Sequence, residues 1–449
     1  MTVSLILLAA GKGTRMQSDL PKVLHKIAHA PMLWHAMRAG AALEPECCAI
    51  VVGHGADEVA AAAHDFDPEA RIVLQEEQLG TAHAVSQARA ELEGQAGDVV
   101  VLYGDTPLIS EETLHAILEA RTRHDIVVLG FEAADPGRYG RLIADGDELL
   151  EIVEYKDASP AQRAITLCNS GVIAADRALL FDLIDEVRNE NASGEYYLTD
   201  VPALARGRGL GAGIVRCAEA ETLGVNSRTD LAAAEEAFQE RARQCLLEQG
   251  VSLSAPSSVY LAWDTVIGRE CEIEQNVVFG PGVTIESGAC IRAFSHLEGC
   301  HVSDGAIVGP YARLRPGAEL AENVHVGNFV EIKNAVLHEG VKANHLTYIG
   351  DAEIGAGTNI GAGTVTCNYD GVFKHKTHIG AGAFIGSDTM LVAPVSVGEG
   401  AMTASGSVIT QDVPDGALAL SRARQVNKPG LARKLMDMLR ARKADIKKG

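Results

Sequence analysis

Residues 8–16, with the sequence LAAGKGTRM, combine two glycines with two basic side chains. Glycine lets backbone N–H groups approach a phosphate oxygen closely, and Lys12 and Arg15 add positive charge. The spacing matches neither the dinucleotide fingerprint nor the Walker loop. For the glycines alone, a tight turn is the alternative interpretation. A further cation at Lys22, after Leu20-Pro21, favours a phosphate site.

A carboxylate follows a second apolar run, in Tyr103-Gly104-Asp105. Asp105 is either a turn residue or a ligand for Mg²⁺, because hard divalent cations prefer oxygen donors and share them with substrate phosphates. Gln75 and Leu79-Gly80-Thr81 carry amide and hydroxyl groups that suit the edge of a pyrimidine, with buried structural roles as the alternative. These residues predict a site for a nucleotide and a divalent cation.

A second group of candidate residues lies in the C-terminal half and includes a histidine. His345 stands in Asn344-His-Leu-Thr-Tyr348, and an imidazole titrates near neutral pH, as a general base should. A surface or corner position is the alternative for a lone histidine. The other polar candidates are Arg313, Arg315, Lys333, Tyr348 and Asn359. Residues 366–378 break the local pattern, and insertions in repeats often carry function.

These residues interrupt a six-residue repeat that runs from Ile267 to Ile409. Aliphatic residues recur every sixth position, often followed by glycine, as in Val326-Gly327 and Ile385-Gly386. This period is neither helical nor that of an alternating strand, and it predicts a parallel β-helix of hexapeptide repeats. The alternating runs of a β-sandwich are missing from the sequence. About seven coils fit, giving a prism roughly 34 Å long at strand spacing.

The N-terminal half alternates apolar runs with helical patterns. Val3–Ala10, Ala49–Val52, Val99–Tyr103 and Ile126–Phe131 read as strands buried on both faces. Helices are predicted at Thr81–Leu92 and at Ser110–Arg123. The alternation predicts an α/β domain with a mostly parallel, doubly wound, Rossmann-like sheet. Ligands of such sheets bind at the carboxyl ends of strands, where the first two candidate stretches lie.

A predicted helix at residues 229–249 separates the two halves. Gly250 ends it, and Ser254-Ala-Pro-Ser-Ser marks the break before the repeats. The sequence thus predicts a domain at 1–228, a linker helix at 229–249 and a domain at 250–449. A basic helix at Leu431–Ile446, or a solvated tail, follows the repeats.

Composition limits the possible partners and the compartment. The 449 residues carry a formal net charge of −21, which argues against general nucleic-acid binding and against an anionic membrane surface. The nine cysteines are scattered and read as reduced thiols. Met1–Ala10 lacks the basic flank of a signal peptide, and no apolar run reaches the length of a membrane span. We expect a cytoplasmic protein.

Together the motifs resemble one family over almost the whole chain: the bifunctional N-acetylglucosamine-1-phosphate uridylyltransferase / glucosamine-1-phosphate N-acetyltransferase. The resemblance rests on the stretches quoted above and on six more, together with Lys374. These are Tyr139-Gly140-Arg141, Glu151-Ile-Val-Glu154, Asn169-Ser-Gly171, Gly224-Val-Asn226 and Asn368-Tyr369-Asp370-Gly371 with Lys374 and Gly386-Ser387-Asp388. Two positions depart from the pattern: Ala82 stands where glycine is frequent, and Tyr155 where glutamate is common.

The resemblance implies a nucleotidyltransferase domain, a left-handed β-helix, a homotrimer and two activities. An acetyl group passes from acetyl-CoA to glucosamine-1-phosphate. A uridylyl group then passes from UTP to N-acetylglucosamine-1-phosphate, and pyrophosphate leaves. Because two anions meet in the second step, cations are the main requirement: one or two Mg²⁺ ions with Arg15 and Lys22. The implied UTP and UDP-N-acetylglucosamine contacts are Leu8, Ala9, Gly11, Lys22, Gln75, Gly80, Thr81, Tyr103, Gly104, Asp105, Gly140, Glu154, Asn169 and Asn226, with Asp105 and Asn226 on the metal.

For acetyl transfer the resemblance implies His345 as the general base. It assigns Arg315, Lys333, Tyr348, Asn359 and Lys374 to glucosamine-1-phosphate, with Asn368 near the sugar hydroxyls. It assigns Ala362, Asn368, Tyr369, Ser387, Ala404 and Arg422 to acetyl-CoA. We expect the projecting loop 366–378 to cover the face of a neighbouring chain, so that the site is shared between chains.

Two alternatives remain at this level. One is a nucleotidylyltransferase whose β-helix only assembles subunits or binds a regulator. The other is an assembly subunit with both sites inactive, which Arg15, Lys22 and Asp105 disfavour. The set around His345, Tyr348 and Lys374 distinguishes the bifunctional enzyme, because a scaffold has no use for it.

Overall fold

The computed structural model describes residues 2–446, so the outermost ends of the predicted domains, residues 1 and 447–449, lie outside the described residues. The chain forms two compact units. One comprises Met1–Glu248 with Tyr260–Thr265, and the other comprises Gln249–Val259 with Val266–Gly449. Within residues 2–446, no helix has the length and apolar composition needed to cross a bilayer.

The first unit is an α/β domain built on one nine-stranded sheet. Its strands are β1 (Val3–Ala9), β2 (Lys26–Ile27), β3 (Ala30–Pro31), β4 (Cys47–Val52), β5 (Arg71–Leu74), β6 (Asp98–Tyr103), β7 (Ile126–Glu132), β8 (Arg141–Asp145), β9 (Glu148–Val153), β10 (Leu167–Asp176) and β11 (Ala212–Cys217). Its helices are α1 (Met32–Ala41), α2 (Ala56–Phe66), α3 (Thr81–Gln87), α4 (Glu111–Arg121), α5 (Pro160–Arg163), α6 (Arg177–Ile184), α7 (Val201–Gly207) and α8 (Arg228–Glu248).

The sheet order is β5-β4-β1-β6-β10-β7-β11-β9-β8, with β2 and β3 forming a separate pair. The pairs β1–β4, β1–β6 and β4–β5 are parallel, whereas β10 is antiparallel to both of its neighbours β6 and β7. The predicted doubly wound sheet is therefore confirmed, with an antiparallel strand at its centre.

Strand β1 shows why the apolar runs lack alternation. Ile6 and Leu8 enter the core on one face of the sheet, and Leu5 and Leu7 enter the core on the other face. Because both faces are covered, every position of the strand is buried. Its carboxyl end, beside that of β6, opens to the ligand side of the sheet.

Helix α4 begins as the sequence predicts, with the Ser110 side chain accepting a hydrogen bond from Thr113 N. Helix α3 ends at Gln87, before the predicted Leu92, and turns around Ala88 follow it. Helix α8, which the sequence treats as a linker, belongs to the first unit. Its buried Gln239 donates to Leu261 O at 2.7 Å and accepts from Leu261 N at 2.9 Å, which holds residues 260–265 in that unit.

The second unit is a parallel β-helix followed by helix α9 (Leu431–Ile446). Its strands are β12 (Ser252–Leu253), β13 (Val266–Ile267), β14 (Glu272–Ile273), β15 (Val278–Phe279), β16 (Thr284–Ile285), β17 (Cys290–Ile291), β18 (His296–Leu297), β19 (Cys300–Val302), β20 (Ile307–Val308), β21 (Arg313–Leu314), β22 (Ala318–Leu320), β23 (His325–Asn328), β24 (Glu331–Leu337), β25 (Lys342–His345), β26 (Tyr348–Ile354), β27 (Asn359–Ile360), β28 (Val365–Cys367), β29 (Thr377–Ile379), β30 (Phe384–Ile385), β31 (Met390–Val392), β32 (Val395–Val397), β33 (Met402–Thr403), β34 (Val408–Ile409) and β35 (Leu418–Ala419).

Successive coils stack in parallel register. Partners are 18 residues apart at Glu272 and Cys290, and 17 apart at His325 and Lys342, so these coils contain about three six-residue repeats each. One side of the helix is a ten-stranded ladder from β12 to β35. The prediction of about seven coils was therefore too low, because the stacking continues into flanking segments whose sequence lacks the regular repeat.

The long strands β24 and β26 each turn a corner of the coil at a residue with positive φ, Asn334 at +45° and Asp351 at +49°. Short polar residues tolerate this left-handed region better than branched ones. Asn334 and Asp351 consequently stack on each other from adjacent coils.

The glycine that follows many aliphatic residues has a steric cause. A Cβ on Gly327 would lie 2.0 Å from the carbonyl oxygen of Asn344 on the next coil, and one on Gly386 would lie 2.5 Å from Thr403 O. The carbonyl oxygens of Asn344 and Thr403 belong to hydrogen-bonded backbone, so moving them aside would cost hydrogen-bond energy. The absence of a side chain is what lets the coils approach at strand spacing.

We therefore expect Gly327→Ala to lower the free energy of unfolding of the β-helix by about 1–3 kcal/mol, as overpacking does. Thermal denaturation with circular dichroism measures the change. Gly207→Ala is the control, because a Cβ there meets nothing within 4 Å. Equal melting temperatures for Gly327→Ala and the wild type would contradict the steric explanation.

Candidate active sites

A cavity of about 310 Å³ opens at the carboxyl ends of β1 and β6. The predicted nucleotide residues that line it are Leu8, Ala9, Gly11, Lys22, Gln75, Gly80, Thr81, Tyr103 and Asp105. Parallel pairing aligns Leu8 with Tyr103, so the loops that follow the two strands leave the sheet side by side. The structure thus brings together stretches that are almost a hundred residues apart in the sequence.

The glycine-rich loop is open where it meets the cavity. A Cβ on Gly11 would meet nothing within 4 Å, whereas one on Gly13, at φ +57°, would lie 2.6 Å from Cβ of Lys22. Gly13 thus allows the segment that carries Lys22 to pack against the loop. Arg15 follows in a short 3-10 turn, is exposed and makes no side-chain hydrogen bond to another described residue, so its guanidinium is available to a ligand.

Lys22 connects the two residues predicted to bind the metal. Its ammonium forms an ion pair with Asp105 and donates to Asn226 Oδ1 at 3.2 Å. Backbone hydrogen bonds hold the pair together, since Val225 N donates to Asp105 O at 2.9 Å. Asp230 Oδ2 accepts from the backbone N–H of Asn226 at 2.9 Å. Two oxygens of different segments therefore converge on one cation at the edge of the cavity.

Residues predicted to hold the sugar form a second cluster. A Cβ on Gly140 would lie 3.5 Å from Glu154 Oε1 and 3.6 Å from Cβ of Asn169, so the glycine leaves space between them. Asn169 N donates to Gly140 O at 2.9 Å. Burial raises the pKa of Glu154, while the hydroxyl of Thr199, at 3.2 Å, opposes the shift by stabilising the carboxylate.

Tyr103 lines the nucleotide cavity, and its partly buried phenol is close enough to Glu154 of the sugar cluster to be affected by that charge. Burial raises its pKa, with smaller contributions from the charges of Asp105 and Glu154. Gly171 packs against the ring, since a Cβ there would lie 2.7 Å from it. Tyr103 therefore adjoins both parts of the site. Gly104 adjoins it, and its N–H donates to Leu8 O at 3.0 Å.

Arg141 supports the sugar cluster, and the sequence analysis gave it no role. Its buried guanidinium donates to the carbonyl oxygens of Gly137, Tyr139 and Arg163, which ties the loop before Gly140 to helix α5. Tyr155, one of the two departures from the family pattern, places its ring 4.6 Å from the guanidinium carbon of Arg163 and 5.9 Å from that of Arg141. The aromatic face thus supports two cations.

Other residues of the cavity were also missed. Gln78 donates to Ala10 O at 2.7 Å, and Glu195 reaches the cavity from a distant loop. Gln78 directly precedes the recognised motif Leu79-Gly80-Thr81, whereas nothing in the sequence near Glu195 indicated a site. Ala82, the other departure, is buried in the hydrophobic core and does not line the cavity.

In the second unit, three cations predicted to bind the sugar phosphate meet on the β-helix. Arg315 pairs with Glu331 at 2.8 Å, and its Nε is buried with no hydrogen-bond partner among the described residues. Lys374 contacts Lys333 and, with Arg315 nearby, lowers the pKa of Lys333. An unsatisfied guanidinium N–H beside two like charges indicates a place for an anion.

Residues 368–375 form a hairpin. Asp370 accepts from Val372 N and Phe373 N and pairs with His375 at 2.8 Å, and these contacts lower the pKa of Asp370 to about 2. The hairpin contacts its own chain, because Asn368 Nδ2 lies 3.5 Å from the hydroxyl of Tyr348 and Lys374 reaches Lys333. The expectation that this loop projects over a neighbouring chain is therefore not met by Asn368 and Lys374, which lie against their own chain. The Tyr369 hydroxyl donates to Gly371 O at 2.6 Å within the hairpin.

His345 lies at a different corner, with the residues predicted for acetyl-CoA. Gly363 N donates to His345 O, Asp388 N donates to Ala362 O, and a Cβ on Gly361 would lie 2.5 Å from Ser387 N. Farther along, Ala404 N donates to Ala419 O at 2.9 Å, and Arg422 Nη1 donates to Ser405 O at 2.9 Å. Successive coils thus align His345, Ala362, Ser387, Ala404 and Arg422 along one edge.

Three predicted residues depart from this division. Asn368 and Tyr369, both predicted for acetyl-CoA, lie on the hairpin with Lys374, and Asn368 is beside Tyr348. Asn359 lies in the row of Lys342 and Phe384, on another side of the β-helix from the row of Glu331 and Tyr348. One chain therefore does not bring Asn359 to the cations.

Comparison with protein families agrees with the two units. The MobA-like NTP transferase domain matches residues 5–166, and the bacterial transferase hexapeptide (six repeats) matches residues 264–299 and 376–411. The first match contains the glycine-rich loop and Asp105, and the second covers both ends of the β-helix.

Curated relatives match along almost the whole chain. Bifunctional protein GlmU of Ruegeria sp. (strain TM1040) is 69% identical over 449 residues, which is 100% of each chain. That of Cereibacter sphaeroides (strain ATCC 17025 / ATH 2.4.3) is 69% identical over 448 residues, covering 100% of this chain and 99% of its own. That of Jannaschia sp. (strain CCS1) is 64% identical, covering 98% and 97%.

Proposed function

Because the chain belongs to the GlmU family of bifunctional proteins, we propose that it carries both transferase activities of UDP-N-acetylglucosamine synthesis. The enzyme acetylates glucosamine-1-phosphate with acetyl-CoA and then joins the product to the uridylyl group of UTP. The observation that carries this proposal is the presence of two separate sites. One is a nucleotide-sized cavity with cations in the first unit, and the other is a cation cluster with an unsatisfied Arg315 Nε in the second.

The uridylyl step needs charge compensation more than acid–base chemistry. A phosphate oxygen of the sugar phosphate attacks the α-phosphorus of UTP, and the bond to pyrophosphate breaks. The nucleophile is already an anion, so no residue has to remove a proton. Lys22 and Arg15 offset charge on the reacting phosphates, Gln75 and Thr81 face the base, and Glu154 with Asn169 orients the sugar.

The residues present fit a Mg²⁺ ion. Asp105 and Asn226 turn their oxygens toward one cation, the Lys22 ammonium, at the edge of the cavity. Among residues 2–446 there is no group of three or more His, Cys, Asp or Glu that would hold a metal without substrate. Mg²⁺ suits such a site because it is held by few protein oxygens together with phosphates and water. When bound, it supplies further positive charge to the triphosphate.

For acetyl transfer, His345 is the general base. Its Nδ1 lies 3.0 Å from Asn328 Oδ1, which accepts a hydrogen bond, so Nδ1 carries the proton and Nε2 keeps its lone pair. Nε2 takes a proton from the sugar amine as the amine attacks the thioester carbonyl, and the CoA thiolate leaves. Arg315, Lys333 and Lys374 hold the sugar phosphate. A β-helix that served only as a scaffold would have no use for these charges.

Assembly as a homotrimer is supported by an exposed apolar ladder. Phe294, Tyr311 and Phe329 stack from successive coils with ring centroids 4.9 and 5.3 Å apart, and Leu346 continues the row. Each of these four side chains is about half exposed or more, although all four are large and hydrophobic. A second copy of the chain is the partner that fits, because identical prisms packed face to face close into a ring.

The ladder also supports a site shared between chains. Leu346 follows His345, so a neighbour bound along the ladder would reach the edge that carries the acetyl-CoA residues. Asn359, which lies on another side of the β-helix, would then be supplied to the cations by that neighbour. In this proposal residues 1–228 carry the uridylyl transfer and residues 250–449 the acetyl transfer, and helix α8 belongs structurally to the first unit. The nine free cysteines suit a reducing cytoplasm.

The two activities should separate by substitution. We expect Asp105→Ala to abolish pyrophosphate release while thiol release from acetyl-CoA continues. His345→Ala should do the reverse, because the residues lie in different units. Both products are measured with glucosamine-1-phosphate, acetyl-CoA, UTP and Mg²⁺, and N-acetylglucosamine-1-phosphate replaces the first substrate when His345→Ala is tested for pyrophosphate. Loss of both activities in either folded variant would refute two independent sites.

Metal removal should act on one activity only. EDTA should stop pyrophosphate release, because Asp105 and Asn226 depend on a divalent ion to bind the triphosphate, and thiol release should continue. Added Mg²⁺ should restore the first activity. Equal inhibition of both activities would mean that the metal lies elsewhere.

Substitution of residues in the aromatic ladder should dissociate the trimer. Aromatic residues at subunit contacts contribute about 2 kcal/mol each, so Tyr311→Asn with Phe329→Asn should weaken association about a thousandfold. Asparagine tolerates the positive φ of both positions. Light scattering should show monomers that retain pyrophosphate release and lack thiol release. Glu270→Asn, at an exposed positive φ of +61°, is the control that should remain trimeric.

A further inference from the structure

The corner of strand β26 carries a buried carboxylate for which the sequence analysis found no role. Asp351 is 6% exposed and is stacked between asparagines of the two adjacent coils. Asn334 Nδ2 donates to its Oδ1 at 2.5 Å, and Asn368 Nδ2 donates to its Oδ2 at 2.5 Å. The result is an amide–carboxylate–amide ladder beside the predicted sugar-phosphate site.

An ionised carboxylate decides which end of a neighbouring amide faces it, because it accepts hydrogen bonds and donates none. Asn368 must therefore turn its NH₂ toward Asp351 and its carbonyl oxygen away. With only 8% of its surface exposed, Asn368 has little access to water as a replacement partner. A charge-assisted hydrogen bond of this kind is among the stronger ones in proteins.

The amide–carboxylate–amide ladder adjoins the cluster of Arg315, Lys333 and Lys374. Lys374 follows Asn368 on the same hairpin, where Asn368 O accepts from His375 N at 2.8 Å. Contact with Lys374 lowers the pKa of Lys333, and the negative charge of Asp351 raises it. Asp351 thus supplies a fixed negative charge that reduces repulsion among the cations.

We propose that Asp351 is a positioning residue for acetyl transfer, which acts by orienting the Asn368 amide toward the amino sugar phosphate. The inference rests on the proposed acetyltransferase function and adds a specific requirement to it. A nucleophilic amine needs its lone pair free to attack the thioester carbon. A carbonyl oxygen binds an N–H of the amine and leaves the lone pair free, whereas an NH₂ in the same place would donate to that lone pair.

The test is Asp351→Asn, which keeps the shape and removes the charge. An asparagine presents either end to Asn368, so the amide is no longer fixed. Loss of one hydrogen bond to a charged group predicts a fall in kcat for thiol release of about tenfold or more. KM for acetyl-CoA should change little, because Ala362, Ser387, Ala404 and Arg422, the residues assigned to most of that substrate, lie along the other edge. Pyrophosphate release by the same preparation should remain at the wild-type rate.

Two matched variants separate positioning from stability. Asn334→Gly removes the other amide that donates to Asp351 and keeps the positive φ, so it should lower the melting temperature without a comparable loss of kcat. Asp415→Asn makes the same chemical change where the carboxylate accepts from Glu399 N at 2.9 Å, and acetyl transfer should be unaffected. A loss of kcat in Asn334→Gly equal to that in Asp351→Asn would overturn the proposal.

A double-mutant cycle with Asn368→Ala gives the deciding readout. If Asp351 acts through Asn368, adding Asp351→Asn to Asn368→Ala lowers kcat no further. Multiplied losses would assign Asp351 a separate structural role and overturn the proposal. Should Asp351→Asn fail to fold, Asn368→Ala alone remains decisive, because wild-type kcat in that variant leaves Asp351 nothing to act through. A wild-type enzyme that releases no thiol would instead refute the acetyltransferase function itself.

Discussion

Parallel strand pairing determines which side chains meet in both units. In the first unit it aligns the carboxyl ends of β1 and β6, so the glycine-rich loop and Asp105 border one cavity. In the second unit it stacks most coils 17 or 18 residues after the preceding one, and 25 residues after it where residues 366–378 are inserted. Residues that share a corner position therefore become neighbours. The cation cluster, the aromatic ladder and the edge proposed for acetyl-CoA all follow from this register.

The parts that the sequence predicted were those with a strong local pattern. The six-residue period identified the β-helix because every coil repeats the same steric requirement, and the apolar runs identified a sheet covered on both faces. The first cavity was predictable because its residues follow strands directly. Leu8, Gly11, Tyr103 and Asp105 all lie within a few residues of a strand end.

What the sequence did not reveal depends on contacts between coils or distant loops. Asp351 has the appearance of an ordinary turn residue, and only the stacking of Asn334 and Asn368 on it gives it a role. Arg141 was part of a recognised motif, yet its three carbonyl partners belong to two segments. Loop 366–378 was expected to cover a neighbouring chain. Its contacts with its own chain could not be predicted, because spacing alone does not give the direction of an insertion.

The steric role of the glycines in the β-helix also affects how its length can change. Along the flat sides, residues of one coil must keep their register with the next coil, because Gly327 and its equivalents must face backbone there. Residues 366–378 enlarge one corner, and the following strand still pairs in register, with Thr377 opposite Ala352. Residues can thus be added to or removed from the flat sides only as whole coils. At the corners, by contrast, segments of any length can be inserted, and there new binding groups can evolve without disturbing the stack.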